Sequence, residues 1–240
     1  MISFIEEYYF LCFRSAEVFA ALAGILCFKK FKNDKAPKYL IYFLIYINCI
    51  EILASYTVII HENPSFLSIK ETLKNTVFEK NYWWYFLTWF IGANVFFSCY
   101  YYLIAENTRI KKAIKLILFS TLLFQFIYFV LFLSSSNYDY MIYAEVIDLF
   151  VIVFLISSYF IQLLNSEKII SFYKLLPFYV SIGTLVFFIV TTPLTFFERY
   201  FTLSDPEYIS LKYSIKFFAI IFMYAFIGIG FIVSKPKLRN

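Results

Sequence analysis

Histidine and glycine are scarce in this chain: 240 residues hold one histidine, His61, and five glycines. A lone histidine excludes zinc sites built on paired histidines, bis-histidine haem, and a Ser-His triad with a spare base. His61 closes the second apolar run and reads as an interfacial residue. No G-x-G-x-x-G, P-loop or nucleophile-elbow pattern occurs. The four cysteines, Cys12, Cys27, Cys49 and Cys99, lie in apolar runs without C-x-x-C spacing. They read as small apolar filler, and neither a metal nor a cofactor is expected. Charge is short as well: 15% of residues, against about 25% in soluble domains. With 62% hydrophobic residues and a mean hydropathy of +0.75, an ordinary soluble fold is ruled out.

What the chain has instead is seven long apolar runs, at residues 5–28, 39–61, 83–105, 113–134, 142–164, 175–198 and 213–234. Each reaches the roughly 20 residues that a helix needs to cross a hydrocarbon core about 30 Å thick. In lipid every backbone group must bond within its own segment, so continuous runs of this length are helices. A barrel would need alternating segments of about ten residues. The predicted fold is all-α: a polytopic bundle of seven transmembrane helices forming a single domain over 1–240.

Basic residues divide unevenly between the two sets of connections. One side holds Lys29, Lys30, Lys32, Lys35, Lys38, Arg109, Lys111, Lys112, Lys115, Lys168, Lys174, Lys235, Lys237 and Arg239. The other holds only Lys70, Lys74, Lys80, Arg199 and Lys212. The positive-inside bias then puts the amino terminus outside and the carboxyl terminus in the cytoplasm, as for a multi-pass protein of the cytoplasmic (inner) membrane. The net charge of +5 is a topology signal and does not imply nucleic acid. The expected partners are membrane lipids, whose anionic headgroups suit the basic loops, and a protein partner or a second copy of the chain. Glu6 and Glu7 stand where a secretory signal would be basic, and Arg14 and Glu17 interrupt its apolar region, so the first helix reads as retained.

The longest connection, 62–82, offers Phe66, Ile69, Leu73 and Val77 on one helical face behind a Ser65 cap. It reads as a helix lying flat on the outer surface, with a plain loop as the alternative. Trp83, Trp84 and Tyr85 fall at the level of an aromatic belt. Ala16, Ala20 and Gly24 form a small-residue stripe suited to close helix packing, and Pro193 is expected to kink the sixth span.

Charges inside a bilayer are costly and mark function by default. Arg14 and Glu17 can pair on one face of the first span. The second carries Asn48, Glu51 and Ser55; the third Asn94, Ser98 and Tyr102. The fifth begins with Glu145 and Asp148 and continues through Ser158 to Gln162. The sixth adds Ser181, Thr184 and Thr191, and the seventh Lys216 and Tyr224. At 1.5 Å rise per residue, Glu17, Glu51 and Asn94 fall about 15–16 Å below the outer helix ends, and Arg14, Asp148 and Lys216 about 5–13 Å below. The prediction is an outward-facing polar cavity lined by Arg14, Glu17, Glu51, Asn94 and Asp148, with Lys216 at its mouth. The alternative is a closed salt-bridge network that sets helix register and binds nothing.

No catalytic residues are expected. The third span ends Glu106-Asn107-Thr108-Arg109, without the acidic-Arg-aromatic triplet of seven-helix receptors, and Lys216 lies too near the outer end for the retinal lysine of microbial rhodopsins. The passage KKFKNDKAPKYLIYF, Glu17 and Glu51, LPFYVSIGTLVFF at 176–188 and MYAFIGIGFIVSK at 223–235 resemble a family of small seven-helix integral membrane proteins typical of Bacteroidetes-type genomes. The resemblance implies the seven-helix fold and a role for Glu17 and Glu51, and implies no activity. The sequence points first to a sensory or accessory module that takes a small ligand or lipid and acts through a partner. The rivals are a small-solute transporter or channel and a lipid-modifying enzyme working through Glu17 and Glu51.

Overall fold

The apolar runs fold as helices in a computed structural model that describes residues 2–62, 64–74, 76, 78–135, 139–197 and 206–236. Among the described residues ten α-helices follow one another: α1 (Ile2–Leu26), α2 (Lys35–Ala54), α3 (Tyr56–Glu62), α4 (Leu67–Leu73), α5 (Tyr82–Tyr85), α6 (Gly92–Ile104), α7 (Thr108–Ser135), α8 (Asp139–Leu164), α9 (Leu176–Phe197) and α10 (Pro206–Val233). Among the described residues, six segments are long and apolar enough to cross a membrane: Lys35–Ile60, Trp83–Ile104, Thr108–Leu131, Val146–Leu164, Leu176–Leu194 and Ser210–Val233. The protein is an all-helical, multi-pass membrane protein. Several helices begin before their apolar run does, α2 at Lys35, α7 at Thr108 and α10 at Pro206. Backbone hydrogen bonding carries a helix into the polar layer, and a proline at the first helical position costs no bond.

Short connections at 27–34, 105–107 and 165–175 gather at one end, together with residues 234–236, and this end is the basic one. Lys30 Nζ donates to the carbonyls of Phe231 and Ile232, at 2.9 Å each, and so caps the carboxyl end of α10. Gln162 Oε1 accepts the backbone N–H groups of Glu106 and Asn107, and Lys168 pairs with Glu106. Gln162, whose Nε2 donates to the Ser158 carbonyl at 3.0 Å, therefore serves this end of the fold.

Six helices close into a ring in the order α1, α2, α6, α8, α9, α10 and back to α1, each packed on the next. Helix α7 stands outside it against α6 and α8, turning Leu116, Phe119, Leu123 and Phe126 outward. Glycine permits the closest approaches. A Cβ at Gly24 would lie 3.0 Å from Ile41 of α2 and 3.3 Å from Phe231 of α10, and one at Gly228 would overlap the ring of Phe19 of α1. The Ala16–Ala20–Gly24 stripe thus seats α1 between its two neighbours, with Ala20 wholly buried.

Two local expectations change, and one helix carries its proline internally. The predicted Ser65 cap is replaced by a 3₁₀ turn over Pro64–Phe66, so that α4 starts at Leu67 with no side-chain cap and buries no residue; Val77 lies outside the described residues. Helix α9 runs on past Pro193 to Phe197. The third span is not one α-helix, because a π-helical turn, Phe86–Ile91, joins α5 to α6.

Candidate functional site

The guanidinium of Arg14 joins α1 to α2. Its Nη1 lies 3.3 Å from Glu17 Oε2 and 3.0 Å from Glu51 Oε2, while Nη2 donates to the Glu51 carbonyl at 2.8 Å and to Ser55 Oγ at 3.0 Å. Ser55 Oγ donates to the same carbonyl at 2.9 Å. The same carbonyl also accepts the backbone N–H of Ser55 at 3.2 Å, and it is here that α2 ends, at Ala54, with α3 starting again at Tyr56. The Tyr85 hydroxyl donates to Glu51 Oε1 at 2.5 Å, and Tyr224 lines the same cavity as Glu17. Glu17 is 1% exposed, so its bond to Arg14 replaces its water.

The π turn sets the position of Tyr85. Tyr85, Trp89, Ala93 and Phe97 all face the interior at four-residue spacing. An α-helix over-rotates by about 40° per four residues, so three such steps would swing Tyr85 about 120° away from the face of Phe97. Bonding i to i+5 takes up an extra residue and holds all four on one face. Tyr46 steadies the turn through a 2.8 Å bond from its hydroxyl to the Thr88 carbonyl, in space left by Gly92, where a Cβ would lie 3.0 Å from that hydroxyl.

A second polar cluster joins α6, α7 and α8. Asp148 Oδ1 accepts from Asn94 Nδ2 at 3.0 Å and from Gln125 Nε2 at 2.7 Å, and Ser98 Oγ donates to Asn94 Oδ1 at 3.4 Å. Gln125 is fully buried, and its Oε1 has no hydrogen-bond partner among the described residues. It is the residue by which α7 reaches the bundle's polar interior.

Both clusters border one cavity of about 310 Å³, walled by α1, α2, α5, the π turn, α6, α8, α9 and α10. Of the predicted site residues, Glu17, Glu51, Asp148 and Lys216 lie in its wall, together with Thr191 and Tyr224. Arg14 and Asn94 do not; they stand behind the acids and hold them. The wall is more apolar than the sequence suggested, with Phe43, Trp89, Phe97, Phe187 and Phe188 among the lining side chains. Ser181 is elsewhere, bonded to the Tyr101 hydroxyl at 2.8 Å, and Tyr102 faces Lys111 and Lys115. The side chains of His61 and Glu145 lie outside the described residues.

The cavity reaches from Lys216 to Ile227 along α10, about 16 Å. Towards the basic end it stops: Tyr100 and Phe231, each about one turn beyond Phe97 and Ile227, are wholly buried, and the ring of Phe31 meets that of Phe231 edge-on at 6.1 Å. A second cavity of about 80 Å³ opens beyond this plug, between Asp34, Gln162 and Lys168. It shares no lining residue with the first.

Tyr85, Trp89 and Gln125 were missed. Tyr85 reads in the sequence as a belt residue, although it lies at the level of Glu51, and Gln125 is the one amide of the fourth run. Among the described residues, no three His, Cys, Asp or Glu side chains gather as metal ligands. Compared with protein-family models, curated proteins and solved structures, the chain matches none.

Proposed function

We propose that this is a seven-helix sensory or accessory module of the cytoplasmic membrane, which receives a small ligand or lipid in an outward-facing cavity and acts through a protein partner. The observation that carries the reading is the cavity, ringed by six helices and bordered by Glu17 and Glu51 joined through Arg14. A purely structural salt-bridge network would have no need of adjoining empty space. Helix α1, 25 residues long and packed between α2 and α10, supplies the seventh crossing. The gathering of basic residues at the end opposite the Glu51–Tyr85 level supports an outside amino terminus and a cytoplasmic carboxyl terminus. Kinship with small seven-helix proteins of Bacteroidetes-type genomes is part of the same proposal.

Two cavities on opposite sides of an aromatic plug give transport a specific observation of its own. Sensing is the better reading because Phe31, Tyr100 and Phe231 offer a solute no polar path. Proteoliposomes holding the purified protein, assayed for uptake of a panel of small amines, acids and sugars, decide between them. Sensing requires that no uptake depend on the protein. Uptake that Glu51→Gln abolishes would overturn it in favour of transport.

A further inference from the structure

Three acids but a single base reach the cavity wall, Glu17, Glu51 and Asp148 against Lys216; Arg14, the other nearby base, stands behind the glutamates. The rest of the lining is rich in aromatic side chains, Phe43, Tyr85, Trp89, Phe97, Phe187 and Tyr224 among them. The Tyr85 and Trp89 rings lie nearly parallel, 19° apart, on successive turns. Aromatic faces attract cations through their quadrupoles, and the attraction grows when water is excluded. Excess negative charge between low-dielectric walls adds to it, because such walls focus the field. An anion would meet one lysine and three carboxylates. A bare metal ion would need six to eight oxygen ligands, or a tight cluster of nitrogen and sulfur, and aromatic rings supply neither. A volume of about 310 Å³ stands at the lower end of small-molecule sites, which run from about 300 to 1,000 Å³, and is too small for a two-chain lipid.

Resting on the ligand-cavity reading above, we propose that the site recognises an ammonium group, of a free small amine or quaternary ammonium compound or of a lipid headgroup, held between aromatic rings beside Glu17, Glu51 and Asp148. The rings contact the methyl or methylene groups around the nitrogen. The carboxylates set the sign of the ligand, and the Phe31–Tyr100–Phe231 plug limits its depth.

Calorimetry on the full chain in nanodiscs of purely anionic phosphatidylglycerol tests this with three probes of one shape: choline, the neutral 3,3-dimethylbutan-1-ol and the anionic 3,3-dimethylbutyrate. Choline should bind at least about tenfold more tightly than either isostere, the preference expected of a desolvated cation–π site. Glu51→Gln should remove most of that preference, and Asp148→Asn serves the same purpose should the first variant fail to fold. Repeating the titration in phosphatidylcholine nanodiscs separates the sources. Choline binding unchanged there assigns the site to a free cation, and binding lost through competition assigns it to a headgroup. Equal or tighter binding of the neutral or anionic isostere would overturn the cation assignment while leaving a ligand cavity in place. Failure of all three probes in the folded protein would overturn the cation assignment as well, and would count against the cavity reading beneath it.

Discussion

Arg14 and Glu51 meet across 37 residues of sequence, the guanidinium 3.0 Å from the carboxylate and 2.8 Å from the carbonyl of the same residue. One side chain thereby pairs with two acids and ties α1 to α2 beside the point where α2 ends. Removing a single partner of a buried pair is costly because the other charge stays behind, about 3–5 kcal/mol in protein interiors. We expect Arg14→Met to lower thermal stability in detergent by that order. The triple variant Arg14→Met, Glu17→Gln, Glu51→Gln should recover most of the loss, since no charge is then left unpaired. Equal losses in the single and triple variants would show that the pairing is incidental.

The π turn gives a test of coupling. Tyr85→Phe removes a hydrogen bond to a carboxylate and should cost about 1.5–3 kcal/mol in unfolding experiments. Deleting Leu87 from the π segment should restore an α-helical register and leave Tyr85 on the inner face, because eleven residues of α-helix bring it to within about 20° of Phe97. In the deletion background Tyr85→Phe should then cost about as much as in the native chain, the additivity expected when the register is kept. A Tyr85→Phe cost that vanishes on deletion would mean that the turn does not take up one residue.

Gln125 holds the outlying helix. Gln125→Leu should cost about 1.5–3 kcal/mol, the worth of a hydrogen bond to a charged acceptor, and should raise hydrogen exchange in α7 ahead of the six ring helices. Gln125→Glu, which brings a second carboxylate against Asp148, should cost more than the leucine substitution. Uniform exchange across all helices in Gln125→Leu would contradict the assignment.

Close approach of α10 to α9 gives a steric test. A Cβ at Gly230 would lie 2.7 Å from Cβ of Tyr179. Gly230→Ala should destabilise the bundle by about 1–3 kcal/mol through overpacking, and the second substitution Tyr179→Gly should restore much of it by opening the space. A stability unchanged in Gly230→Ala would show that the two helices stand further apart.

The helices were legible because an apolar run of some 20 residues has one stable form in lipid. Helix ends were less so: α2, α7 and α10 extend into polar sequence where no change of hydropathy marks the start. The costly polar groups could be found by their cost, and the level shared by Glu17 and Glu51 by counting residues. Their bonds could not. Arg14 was expected in the cavity wall and stands behind it, because its reach to the Glu51 carbonyl depends on how α1 turns against α2. Ring order and the exclusion of α7 follow from side-chain fit, for which hydropathy carries no signal. The π turn gave none either, since FLTWFI lacks the proline or glycine that commonly marks a helix irregularity and Gly92 only follows it.

Access to the cavity tests the central claim most directly. In a background with Cys12, Cys27, Cys49 and Cys99 replaced by alanine, single cysteines at Thr192, in the cavity wall, and at Ser181, packed against Tyr101, are exposed to a membrane-impermeant maleimide. Thr192→Cys should label in intact cells from outside, and Ser181→Cys only after denaturation. A Thr192→Cys protein that is folded yet unreactive from outside, or reactive only once the reagent reaches the cytoplasm, would contradict an outward-facing cavity.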